Sequence, residues 1–181
     1  MKTTKHILIA LSFAVLLTIN ANAHCGKCAA DNAKEGQEHA QCEAEENTDI
    51  LPLLPHYLKA QEALATDNLD AVKVAAKALH ASIHEDENTD DLKTIKESAF
   101  AISDAENIKD ARKAFLALSN DMIAKTERLE LPEGQELYIT FCPMAFGNTG
   151  GHWLQKDKKV NNPYFGVQML HCGSVQSKVS E

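Results

Sequence analysis

From Ile50 onward the apolar residues recur at the three-and-four spacing that gathers them on one face of a helix. Leu54, Tyr57, Leu58 and Leu64 make the first such stripe, entered through Pro52 and Pro55. Asp67 and Asn68 supply a turn and an N-cap before a second stripe of Leu69, Val72, Ala76, Leu79 and Ile83. The acidic stretch from His84 to Asp91 interrupts the pattern and has no calcium-loop spacing. Thr89 is then placed to cap a third helix carrying Leu92, Ile95, Ala99 and Ile102, and Asn107 a fourth carrying Ile108, Ala111, Phe115, Leu118 and Met122. Four amphipathic segments with short polar links predict an all-α fold, an antiparallel four-helix bundle whose inward alanines allow close approach.

Beyond the Pro132-Glu133-Gly134 turn the period changes. Leu137, Ile139 and Phe141 alternate with Tyr138 and Thr140, which predicts one short strand delivering Cys142. Glycines and prolines after it argue against further continuous helix, so the bundle is expected to carry an irregular C-terminal extension containing that strand.

The first residues follow a different logic. A basic start (Met1 to His6), an apolar run from Ile7 to Ile19 and the small-residue site Ala21-Asn22-Ala23 describe a cleavable secretory signal over 1–23. The run is short for a membrane span and ends in polar Asn20 and Asn22, which disfavours an uncleaved anchor. His24 is bulky where lipoprotein processing before Cys25 wants a small residue. Residues 24–49 contain almost no large apolar side chain and read as a disordered tail. The expected organisation is thus a signal at 1–23, a Cys/His tail at 24–49, and a single domain at 50–181. A periplasmic location follows.

The formal charge of −8 becomes more acidic once Lys2 and Lys5 leave with the signal. An acidic exported protein is a poor partner for nucleic acid or an anionic membrane and a good one for cations. All five cysteines lie beyond Ala23, in a compartment that permits disulfides, and their odd number points to a free thiol, an intermolecular bridge or a metal ligand. In the tail, His24, Cys25, Cys28, His39 and Cys42 fit metal capture, a local disulfide or thiol redox chemistry. The redox reading is weakest, because Cys25-x-x-Cys28 does not sit at a strand-to-helix junction.

The chemistry concentrates between Phe141 and Gly173. In an extended segment Cys142 and Met144 share a face, and in a helical turn Met169 and Cys172 neighbour one another. Two thiolates and two thioethers together would select Cu(I) over hard ions, with His152 and His171 as substitute ligands. The alternative is a Cys142–Cys172 disulfide with both methionines as core fillers. The glycines form no phosphate loop, and no nucleophile elbow or His/Asp partner for Cys142 is present, so a non-enzyme is expected.

Several of these residues also carry a resemblance. Tyr57-Leu58, Ala63-Leu64, Ala75-Ala76-Lys77-Ala78-Leu79, Arg112, Ala114-Phe115 and Leu118-Ser119 belong to it. So, above all, do Leu137-Tyr138, Cys142-Pro143-Met144-Ala145, Trp153-Leu154, Asn162-Pro163-Tyr164-Phe165-Gly166, Met169-Leu170 and Cys172-Gly173. With these the chain from about Tyr57 to Val175 resembles a small helical domain of unassigned function, known mainly from Bacteroidetes. That domain occurs as free-standing exported proteins and at the C-terminus of HlyD-type membrane-fusion subunits of copper and silver efflux pumps. The resemblance implies periplasmic copper handling, with Cys142, Met144, Met169 and Cys172 at the matching positions and a metal efflux component as partner. His152 and His171 are not part of that pattern, and the lipoyl, barrel and hairpin regions of the efflux subunits are absent. The expectation is therefore a soluble copper binder or donor, with no membrane span in the mature form. A disulfide-stabilised module that docks on an efflux or envelope partner remains the other reading.

Overall fold

Local sequence accounts for several of the helix termini. A computed structural model describes residues 50–84, 90–126 and 129–179; the signal, the Cys/His tail and the Thr89 cap lie outside the described residues. Helix α1 (Leu54–Ala65) begins with Pro55 in its first turn, where a missing N–H costs nothing. It ends in a Schellman arrangement: Asn68 N–H reaches Ala63 O at 2.9 Å and Asp67 N–H reaches Leu64 O at 3.2 Å. Asp67 occupies the left-handed position at φ 57°, where glycine is the usual choice. Helix α2 (Leu69–Ala81) is capped by Asn68, whose Oδ1 accepts from Ala71 N–H at 3.0 Å. Helix α3 (Asp90–Asp104) follows, and α4 (Ile108–Ala124) starts with Asn107 Oδ1 accepting from Asp110 N–H at 3.0 Å.

The stripes predicted for these helices are buried except at their first residues in α2 and α4, Leu69 and Ile108, which are only partly so. Tyr57, Leu64, Val72, Leu79, Ile95, Ile102, Phe115, Leu118 and Met122 are all closed to solvent. Each helix packs against the next in sequence. Between α1 and α4 the contact runs through side chains: Tyr57 stacks on Phe115 with ring centroids 5.1 Å apart, and its hydroxyl lies 2.8 Å from Ser119 Oγ.

The expectation of an all-α fold with one strand is wrong, because the C-terminal third forms a three-stranded antiparallel sheet and the architecture is mixed. Strands β1 (Tyr138–Cys142), β2 (Gly151–Gln155) and β3 (Ser174–Lys178) are ordered β2-β1-β3. Cys142 pairs with Gly151, and Tyr138 with Gln155 on one side and Lys178 on the other. The two strands that were not predicted lack the alternation that marks a strand. In β2 three successive residues, Trp153, Leu154 and Gln155, are buried, and β3 (Ser-Val-Gln-Ser-Lys) is mostly polar. Within β1 the fully buried face is Tyr138, Thr140 and Cys142; Ile139 and Phe141 are only half-buried. Strand β2 lies against both α1 and α4. There the Tyr57 hydroxyl accepts from Leu154 N–H at 3.0 Å, covering a polar group on the edge of the sheet.

Candidate functional site

The last residue of β1 brings Cys142 into the core, where it is closed to solvent. Thirty positions later the chain returns beside it. Cys142 Sγ and Cys172 Sγ lie 3.2 Å apart, both as free thiols, with Cys142 buried and Cys172 partly exposed. A disulfide would need about 2.0 Å. Two thiolates on one ion, with bonds of about 2.3 Å at a tetrahedral angle, would stand about 3.8 Å apart. The observed spacing falls between the two and is within a small side-chain adjustment of either. Hydrogen bonding to Cys142, aided by burial, pushes the Cys172 thiol above its ordinary value, so it is held protonated at neutral pH.

Three devices hold Cys172 in place. Asn162, fully buried, donates through Nδ2 to Cys172 O at 2.7 Å, while its own N–H reaches Leu170 O at 2.8 Å. The same side chain accepts from the N–H groups of Tyr164 (2.7 Å) and Phe165 (3.1 Å), closing an Asx turn at Asn162-Pro163. Second, Cys172 N–H bonds Met169 O at 3.0 Å, just after the short 3-10 helix Gly166–Met169. Third, Gly173 adopts φ +124°, and a Cβ there would fall 2.6 Å from Phe141 O. Only glycine lets the chain come this close to β1 next to the thiol pair.

The loop carrying Cys172 is clamped to the helices by charge. Arg112 on α4 pairs with Asp67, donates from Nε to Pro163 O at 2.8 Å and from Nη2 to Leu64 O at 3.2 Å. Asp67 also accepts from Val167 N–H at 3.1 Å. Gly166 sits over this pair at φ +61°, and a Cβ would meet Asp67 Oδ1 at 2.1 Å and Arg112 Nη2 at 2.3 Å. On the other side Tyr164 packs edge-on against Trp153, with centroids 5.6 Å apart, and donates its hydroxyl to His152 O. Burial raises the Tyr164 phenol well above its ordinary value.

The remaining expected ligands are distributed differently. Cys142 and Met144 do not share a face: β1 ends at Cys142, Met144 has helical backbone angles, and its side chain is 46% exposed. The short segment it leads into, Ala145–Asn148, contains left-handed Phe146 and Gly147. Met169 does stand one turn before Cys172 and is half-buried. His152 is exposed and lies on the Phe141 ring, with centroids 4.4 Å apart, and His171 is exposed with Nδ1 2.7 Å from Val160 O. Among the described residues no three His, Cys, Asp or Glu side chains converge as a metal site. His24, Cys25, Cys28, His39 and Cys42 lie outside the described residues. Sequence reasoning missed the roles of Asn162 and Gly173; the Asn-Pro dipeptide was the available signal for the first.

What emerges is a four-helix core with an appended sheet that holds two thiols in contact. A family model described as a protein of unknown function (DUF3347) matches residues 53–134, and this stretch is a small domain of unknown function. The match spans the four helices and stops before β1, so the thiol pair lies beyond it. No curated protein and no solved structure gives a significant match. Among the described residues no helix is long and apolar enough to cross a membrane.

Proposed function

We propose that this protein binds and passes on a soft metal ion, Cu(I) by preference, in the periplasm, with Cys142 and Cys172 as the ligating thiolates. The observation that carries the reading is the 3.2 Å approach of two free thiols at the edge of the core. Paired thiolates suit Cu(I) and disfavour hard ions such as calcium or magnesium. Met169, half-buried one turn before Cys172, is better placed than Met144, whose side chain is exposed beyond the end of β1. Met144, His152 and His171 take no part. The acidic charge of the chain favours capture of cations. The resemblance to domains appended to HlyD-type copper and silver efflux subunits supports an efflux component as the partner, and the lack of catalytic motifs supports a carrier rather than an enzyme.

The test is a Cu(I) titration of the reduced protein against a competing chelator, with Cys25, Cys28 and Cys42 replaced by Ser so that the tail does not contribute. Replacing Cys142 and Cys172 by Ser should abolish tight binding, Met169→Leu should weaken it, and Met144→Leu should leave it unchanged. Equal affinity with and without the two cysteines would overturn the reading.

The same contact supports a second reading, a disulfide-locked module that docks on an envelope partner. Mass mapping of protein taken from its native compartment separates the two. A complete Cys142–Cys172 bridge, with partner binding unaffected by metal removal, would favour the module.

A further inference from the structure

The two thiols are in contact but unequally accessible. Cys142 is closed to solvent, whereas Cys172 is partly exposed on a loop whose neighbouring residues His171 and Ser174 are both exposed. Hydrogen bonds from Cys172 N–H to Met169 O and from Asn162 Nδ2 to Cys172 O fix its backbone, and Gly173 lets it lie close against β1. The two free thiols are therefore held together, and the second meets the first at a high local concentration.

We infer that Cys172 and Cys142 form a dithiol exchange pair, in which Cys172 attacks a small or extended external disulfide and Cys142 resolves the mixed disulfide so formed. Cys172, as thiolate, attacks one sulfur of the external disulfide, whose S–S bond breaks and releases one thiol after protonation. Cys142 gives up its proton and attacks Cys172 Sγ; the mixed disulfide breaks and the second external thiol leaves. The two cysteines lose two electrons and two protons, and the external disulfide gains both as two thiols. The order is set by access: the buried sulfur cannot reach an external disulfide, and it already touches the exposed one.

A consequence rests on the metal reading proposed above: oxidation consumes both thiolates, so exchange discharges a bound soft ion and reduction restores the site. The exchange itself does not depend on metal.

The experiment uses the full chain with Cys25, Cys28 and Cys42 replaced by Ser, reduced, incubated with oxidised glutathione, and quenched with an alkylating agent for mass spectrometry. The parent should end as the internal disulfide, with no lasting glutathione adduct. Cys142→Ser, and Cys142→Ala as a check on folding, should accumulate one glutathione on Cys172. Cys172→Ser should stay unmodified while folded, reacting at least tenfold more slowly than Cys142→Ser. Equal reactivity of the two single variants, or a stable adduct on the parent, would overturn the inference. A parallel Cu(I) titration of reduced and oxidised parent distinguishes the two proposals. Binding by the reduced form alone supports discharge. Binding by neither defeats the metal reading and leaves the exchange result standing.

Discussion

Cys172 owes its raised pKa first to the hydrogen bond with Cys142 and then to burial, so its neutral form is favoured. An acid held protonated in the folded state contributes stability below its unfolded pKa and loses that contribution as pH rises through the folded value. The same protonation slows attack by Cys172 at neutral pH, since the thiolate is the nucleophile. Cys142→Ala removes the first cause. The pH midpoint for alkylation of Cys172 by iodoacetamide should therefore move down toward the ordinary thiol value of 9.0. An unchanged midpoint would mean that the Cys142 thiol is not the group holding the proton. Asp67 is a second residue whose conformation has a chemical reason. A non-glycine residue in the left-handed region costs roughly 1 kcal/mol, and here its carboxylate is used to pair Arg112 and to accept from Val167 N–H. Glycine would suit the turn but could not clamp the loop.

At the scale of elements, the sheet is joined to the helices through a few buried polar groups. The Tyr57 hydroxyl serves Ser119 on α4 and Leu154 N–H on β2, and Gln61 on α1 donates to Asn161 O at 2.6 Å. Tyr57→Phe keeps the ring stacked on Phe115 but leaves Leu154 N–H and Ser119 Oγ without that partner. Each buried orphan costs about 1 to 3 kcal/mol. The expected result is a loss of that order in urea denaturation, with helix content kept. A change below the measurement error would show that β2 docks by apolar contact alone. The helices were legible in the sequence because each declares itself through a local apolar stripe, and α2 and α4 also through their Asn68 and Asn107 caps. β1 was legible by its alternation. β2 and β3 were not, because their pairing is with β1 and their burial depends on neighbours distant in sequence.

For the whole molecule, closing the Cys142–Cys172 contact into a bond would restrain a loop of about thirty residues in the unfolded chain, worth about 3 to 4 kcal/mol on the entropy model. Oxidised protein should unfold at higher urea than reduced protein, with no difference in the Cys142→Ser variant. If both redox forms of the parent unfold together, the bond strains the native site. Alkali acts in the opposite direction. Burial raises the phenols of both Tyr57 and Tyr164 far above the ordinary value of 10.0. Below that value folded and unfolded tyrosines are alike protonated. Above it the unfolded chain releases protons that the folded one retains, so stability falls as pH rises. Urea midpoints should drop between about pH 9 and about pH 11, and less steeply in Tyr57→Phe.

Read alone, the sequence determined the four helices, the Asn68 and Asn107 caps, the first strand and the interest of Cys142 and Cys172, because helical period, capping chemistry and ligand softness are local properties. It left the thiols with two readings and placed Cys142 and Met144 on one face. Tertiary structure decided that a sheet covers α1 and α4, that Cys142 points into the core while Met144 is exposed, and that two thiols thirty residues apart touch. Those outcomes depend on the close approach that Gly173 permits and on the bonds of Asn162, and such contacts between distant segments leave no period in the chain.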